Sequence, residues 1–136
     1  MGGIGLYDNT VTLFIKVPGG GYAVRRLTGV LFSATDGISG GDSTPARKAA
    51  MYYFDNRSHC TDPDGNKCGY ISPVEWPVSD SREGVFTFDT SGGSWLCEGD
   101  LTGHIEPQFE AAYRITSVER QEVGRRRLRH FKISCE

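Results

Sequence analysis

The sequence lacks any long apolar run, and this absence excludes the simplest membrane and export assignments. No stretch approaches the roughly 20 consecutive apolar residues that a membrane-spanning helix needs. The opening residues, MGGIGLYDNT, also lack the basic start and the apolar run of a signal peptide. We therefore expect a protein that is made and kept in a cytoplasm and has no membrane partner.

Neither sign of charge dominates the chain. The 15 Lys and Arg residues nearly balance the 17 Asp and Glu residues, which leaves a formal net charge of −2. Such a balance argues against bulk attraction to nucleic acid or to an anionic membrane, although local patches can still exist.

Cysteine is scarce, with four residues at Cys60, Cys68, Cys97 and Cys135. A domain of 136 residues can bury an ordinary core without disulfides. Because no secretion signal is evident, we expect free thiols. The cysteines also lack the close pairs that are typical of structural zinc sites, so a zinc module is only an alternative.

Motifs that carry catalysis are missing as well. The three histidines stand beside no recognisable Ser or Cys nucleophile motif, and no Gly-rich loop follows a strand to open a phosphate-binding helix. No carboxylate pair stands out from the solvated background. The sequence therefore predicts a non-enzymatic protein without a cofactor.

Glycine is abundant, at 18 residues, and its short clusters between β-branched and aromatic runs are typical of a mainly β chain. Alternation predicts a strand in NTVTLFIKV, where Val11, Leu13 and Ile15 share one face. YAVRRLTGVLFSA predicts its partner in an opening hairpin. YRITSVERQEVGRRRLRHFKI predicts a closing hairpin with its turn near Val123 and Gly124.

The middle of the chain contains further strands and loops. ARKAAMYYFDN favours a strand through its aromatic residues, and EGVFTFDTSGGSWLCEGDL predicts two short strands joined by a Gly-Gly turn. Pro107 and its acidic neighbours predict one or two helical turns before Tyr113. Turn formers predict exposed loops near residues 35–45 and 59–76. The expected fold is mainly β, a small single-domain β-barrel or sandwich over residues 1–136, with long loops and one short helix.

The stretch HCTDPDGNKCGYISPVEW carries Asp62, Asp64 and Asn66 at alternate positions, as a calcium-binding EF-hand loop does. The pattern fits only if Lys67 and Cys68 are treated as an insertion, and prolines interrupt the required exit helix. We interpret the stretch as the tip of a protruding hairpin or loop. Its acids then face water or a basic neighbour, and a calcium module is the alternative.

The run GRRRLRHFK places Arg125, Arg126, Arg127 and Arg129 close together, and these side chains can neutralise phosphates. Leu128 alternates with the charges, so the run equally fits a strand with one solvated face or an interface with an acidic partner.

Several motifs, taken in order, resemble a family of small proteins encoded in the head and tail gene cluster of siphophages of Gram-positive bacteria. LYDNTVTLFIKV resembles the family's first strand, and VRRLTGVLFSA resembles the element that follows. YISPVEW and GVFTFDTSGGSWLCEGDL resemble its Pro-x-x-Trp/Phe step, strand and GD corner. YRITSVERQEVGRRRLRHFKI resembles its closing hairpin. The Cys60–Cys68 loop and the extra arginines near Gly124 depart from the family pattern.

The resemblance implies a structural virion protein, a head-tail connector or head-closure component of the neck, that acts in an oligomeric ring. The implied partners are further copies of the chain and the portal or adaptor and tail proteins of the same virion, with contact to packaged DNA through the arginines. Such a protein assembles in the cytoplasm of the bacterial host. A secreted, disulfide-stabilised β-domain that binds a host receptor or glycan is the alternative class.

Overall fold

Nine strands and one 3-10 turn make up the part of the chain that the computed structural model describes, which is residues 9–37, 46–78, 82–91, 93–122 and 129–136. The strands are β1 (Asn9–Lys16), β2 (Tyr22–Gly37), β3 (Ala46–Phe54), β4 (His59–Thr61), β5 (Gly69–Tyr70), β6 (Val85–Phe86), β7 (Ser94–Glu98), β8 (Tyr113–Gln121) and β9 (His130–Cys135). The 3-10 turn, Trp76–Val78, lies between β5 and β6. The prediction of a mainly β fold is confirmed.

Six of these strands close into a ring. They follow the order β1-β7-β8-β9-β3-β2, and β2 pairs back onto β1. β2 reaches both neighbours because it is 16 residues long: residues 22–30 pair with β1, and residues 31–37 pair with β3. Closure pairs the strand edges that an open sheet would leave free for aggregation.

The interior of the ring is filled by the alternate residues of each strand. Val11, Leu13 and Ile15 of β1 are fully buried in the main core, as their spacing predicts. Phe14 lies on the outer face of β1 and is also fully buried, in a second, smaller core. Residues 99–112, which connect β7 to β8, contribute Leu101 and Ala112 to this smaller core.

A β-bulge in β8 explains an irregular core pattern. Thr116 is an extra residue, because Ile115 and Ser117 lie opposite consecutive residues of β9. The bulge changes the phase of the side-chain alternation. Tyr113, Ile115 and Val118 can therefore all pack on the main core, although their spacing breaks a strict period of two.

The helix predicted between Pro107 and Tyr113 is wrong, since residues 106–112 form turns and bends. The Ala111 amide donates to the Gln108 carbonyl at 2.8 Å and closes one turn. A single helical turn is costly to nucleate, and Phe109 packs on the barrel from this irregular conformation. No helix in the described residues is long and apolar enough to cross a membrane.

Strand residues occupy part of both segments that the sequence predicts to be loops. β2 continues to Gly37 and β3 begins at Ala46, while residues 38–45 lie outside the described residues. The segment 59–76 contains β4, β5 and the buried side chains of Cys60 and Trp76, so it is only partly exposed.

The two short strands expected around the Gly-Gly turn are present as β6 and β7, but they pair with different neighbours. β6 runs parallel to β5, whereas β7 pairs with β1 and β8. The turn expected near Val123 and Gly124 lies outside the described residues.

Candidate functional site

One end of the barrel is built from the segments that carry the predicted site residues. Because neighbouring strands in the ring are antiparallel, the ends of β1, β3 and β8 and the starts of β2, β7 and β9 lie together. The connections at this end comprise residues 17–21, 55–93 and 122–129. We call residues 59–78 and 82–88 the cap, because they pack onto this end.

Aromatic side chains of the cap fill this end of the barrel. Trp76, Phe86 and Phe88 are buried in the main core together with residues of the ring strands. Burying each of these side chains contributes roughly 2–3 kcal/mol of hydrophobic stabilisation. The Trp76 indole also donates to the carbonyl of Lys16 at 3.0 Å, which fastens the 3-10 turn to the end of β1.

The anchored turn presents two apolar side chains to solvent. Val74 and Val78, on either side of Trp76, are 80% and 76% exposed. Arg82 fixes the turn from outside, since its guanidinium lies 5.6 Å from the centre of the Trp76 ring and donates to the carbonyls of Trp76 and Pro77 at 3.0 Å each. The valines therefore form a rigid apolar surface, which is suited to a protein contact.

Arg25 is a structural residue that the sequence-based prediction missed. Its side chain is 7% exposed and donates to the carbonyls of Val24 (2.9 Å), Arg82 (2.7 Å) and Val85 (2.9 Å). These bonds tie the cap to β2 and give the buried cation three backbone acceptors. A signal was available, since Arg25 stands two residues before Leu27 and therefore on the inward face of the strand.

Asp62 holds a tight turn in the cap. Its carboxylate accepts hydrogen bonds from the amides of Asn66 and Asp64, both at 2.9 Å, and from the Asn66 side chain at 3.3 Å. The bonds from Asn66, followed by the bond from Asp64, lower the pKa of Asp62. Asp64 itself is exposed. Asp62 and Asp64 lie in a short turn between Thr61 and Lys67, which pair in an isolated antiparallel bridge.

The four cysteines are free in this structure. The Cys68 thiol donates to the Asn66 carbonyl at 3.7 Å, and the Cys68 amide donates to the Cys60 carbonyl at 2.8 Å. Burial raises the pKa of both thiols. Cys97 and Cys135 are buried in different cores, on opposite sides of the sheet. Within the described residues, no three His, Cys, Asp or Glu side chains lie close enough to share a metal ion.

The predicted arginine cluster is described only at its last member. Arg129 is exposed, and its carbonyl accepts a hydrogen bond from the Asp55 amide at 3.1 Å. Arg125, Arg126 and Arg127 lie outside the described residues. The predicted acids and Arg129 thus occupy separate parts of the same end of the barrel.

A second arginine missed by the sequence-based prediction, Arg120, joins three strands at this end. It donates to both carboxylate oxygens of Asp55, at 2.7 and 2.5 Å, and its guanidinium lies 4.5 Å from the centre of the Phe131 ring. The hydrogen bond to Asp55 raises the pKa of Arg120. A cavity of about 540 Å³ lies beside it, with Tyr70 among its aromatic lining residues. Arg120 is therefore the cationic partner of both the carboxylate of Asp55 and the ring of Phe131 at this cavity.

The chain matches no family model, no curated protein and no solved structure.

Proposed function

We propose that the protein is a non-enzymatic structural subunit of a tailed-phage virion, a head-tail connector or head-closure protein of the neck. It works in an oligomeric ring, between the portal or adaptor protein and the tail proteins of the same virion. Assembly takes place in the cytoplasm of the bacterial host.

The observation that carries the proposal is where the motifs that resemble the phage family lie in the fold. LYDNTVTLFIKV contains β1, VRRLTGVLFSA lies within β2, and the closing motif contains β8 and the start of β9. The Pro-x-x-Trp step in YISPVEW supplies the tryptophan that anchors the cap. The resemblance thus falls on framework positions that hold the barrel together, rather than on scattered surface residues.

The surface of the barrel supports a role in assembly. Large apolar side chains remain exposed at several places, among them Val74, Val78 and Ile105 at 76–83% exposure. The anchored Trp76 keeps the two valines in a fixed position before any partner binds, which lowers the entropy cost of forming a contact. A subunit that contacts neighbours on several sides needs such pre-formed surfaces.

The arginine-rich connection between β8 and β9 is assigned to an intersubunit contact or to the DNA channel in this proposal. Arg125, Arg126, Arg127 and Arg129 supply four positive charges between two paired strand ends, Gln121 and His130. Phosphate contacts would make assembly on DNA strongly salt-dependent, whereas protein contacts would be retained in the absence of DNA.

The test is to express the chain alone and together with the portal, adaptor and tail proteins encoded beside it. Light scattering and negative-stain electron microscopy should then detect rings of this protein, alone or on its neighbours. Mass spectrometry of purified virions should detect the chain as a stoichiometric component. A persistent monomer that binds no neighbour, and that is absent from virions, would contradict the proposal.

A further inference from the structure

Two unlike surfaces lie on opposite sides of the barrel. In the ring order β1-β7-β8-β9-β3-β2, β1 and β9 are three strands apart in either direction. The outer face of β1 is covered by the connection between β7 and β8, through the smaller core around Phe14. Among the described residues, no member of either core packs on the outer faces of β9 and β3.

The covered side is acidic and apolar, and we call Ile105, Glu106, Phe109 and Glu110 the loop face. Ile105 is 83% exposed, and Phe109 remains 48% exposed although its ring packs on Trp95 with centroids 5.0 Å apart. Residues 101–112 contain two glutamates and no lysine or arginine, and the exposed cation beside Trp95 is its register partner Arg114, so the acids remain in surplus. A groove of about 510 Å³ is lined by residues that include Glu106, Phe109 and Glu110.

The opposite side is basic and aromatic, and we call Lys48, Tyr52, Phe54, His130 and Lys132 the strand face. The rings of Tyr52, Phe54 and His130 pack together, with centroid separations of 5.7–6.4 Å. All three are half-buried on the outer face of the barrel. Lys132 is the register partner of Tyr52, and the exposed Lys48 precedes Tyr52 on the same face of β3.

One acid, Glu119, lies on the same outer side, where it is the register partner of Lys132. Lys48 and Lys132 nevertheless outnumber it, so the strand face keeps a positive surplus. The two faces therefore carry opposite charge around apolar or aromatic centres, on opposite sides of one subunit.

We infer that the loop face of one copy binds the strand face of the next copy. A contact between two different surfaces of the same chain is heterologous, and it generates a ring when successive rotations close. A lysine from the strand face would enter the acidic groove, with its alkyl stem on Phe109 and its charge near Glu106. Ile105 would pack against the aromatic cluster. This inference rests on the proposed ring and names the surfaces that build it.

The test is a charge-swap experiment on the full chain. Glu106→Lys places two cations in contact across the interface, and Lys132→Glu places two anions in contact. Each variant should weaken self-association at least tenfold relative to the wild type, measured by sedimentation velocity at low salt. Lys48→Glu is a second strand-face variant, because Lys48 is exposed and shares the outer face of β3 with Tyr52. Lys67→Glu, exposed on the cap, is the matched control and should assemble normally.

Rescue separates an interface from a folding defect. The double variant Glu106→Lys, Lys132→Glu restores opposite charges at every contact and should form rings again. An equimolar mixture of the two single variants should also form rings, in which the two chains alternate. Circular dichroism should give the wild-type β spectrum for every variant.

The outcomes also separate this inference from the proposed function. If wild-type rings form and both single variants assemble like the wild type, or if neither rescue occurs, the inference is wrong and the ring itself stands. If the wild type forms no ring alone or with its neighbours, both proposals fall.

Discussion

Gly29 lies at a bulge of β2, directly beneath the turn that follows β3. Its φ is +67°, and a Cβ atom at this position would lie 2.6 Å from the carbonyl oxygen of Arg57. The Ser58 hydroxyl donates to the Gly29 carbonyl at 2.7 Å and accepts from the Phe54 amide at 2.8 Å. Because Gly29 has no side chain, β2 can closely approach the turn that connects β3 to β4.

Gly29→Ala should lower the free energy of unfolding by about 3 kcal/mol, since it combines left-handed backbone strain with a backbone clash. Gly65→Ala is the matched control, because Gly65 also has a positive φ, +91°, but nothing within 4 Å. We expect the control to cost about 1 kcal/mol in urea denaturation. Equal losses for the two variants would show that the close approach to Arg57 has no energetic consequence.

The buried thiol of Cys135 makes stability depend on alkaline pH. Burial raises its pKa from 9.0 to about 12. Between these values the unfolded chain releases a proton that the folded chain keeps, so raising the pH favours unfolding. The urea midpoint should therefore fall progressively above about pH 9. Cys135→Ala should show a shallower decline than the wild type, whatever its stability at neutral pH, and identical slopes would contradict the assignment.

At the scale of elements, the cap depends on one buried arginine. Arg25 supplies hydrogen bonds to carbonyls on β2, in β6 and just before β6, so its loss leaves these acceptors without their donors. Arg25→Met should destabilise the protein by about 3 kcal/mol and speed hydrogen exchange at the amides of Phe86 and Ile71.

Arg26→Met is the matched control for this prediction. Arg26 follows Arg25 in the chain but faces outward, where it pairs with Asp100 at 3.0 Å in a partly exposed site. Exposed ion pairs contribute roughly 0–1 kcal/mol, so this variant should remain nearly as stable as the wild type. A larger loss for Arg26→Met than for Arg25→Met would contradict the role assigned to Arg25.

The strands with regular alternation were predictable, because the local pattern of apolar residues shows which face of the strand is buried. β9 is an example, with Phe131, Ile133 and Cys135 buried at every second position. The turn at residues 106–112 was mistaken for a helix because Pro107 and its acids suit a helix start. Packing of Phe109 on Tyr22 and Trp95, which are distant in the chain, accompanies the irregular conformation.

At the scale of the whole molecule, the state of the thiols separates the two classes of function. A virion protein assembled in a reducing cytoplasm should retain all four thiols, whereas a secreted domain should have bridged them. Thiol titration of protein purified from a cytoplasm without reductant, after unfolding in guanidinium, should therefore find four reactive groups. Two or none would favour the secreted domain that binds a receptor or glycan.

The sequence by itself determined the strand content and the inward faces, because alternation is a local property that needs no knowledge of neighbours. It also marked Asp62 as a turn residue through the side-chain chemistry of an Asx turn. Only the tertiary structure decided that β2 bridges two partners to close the ring, that Arg25 and Trp76 fasten a cap, and that an acidic and a basic face lie opposite each other. These features arise from contacts between residues far apart in the chain, and their energies exist only once the barrel has closed.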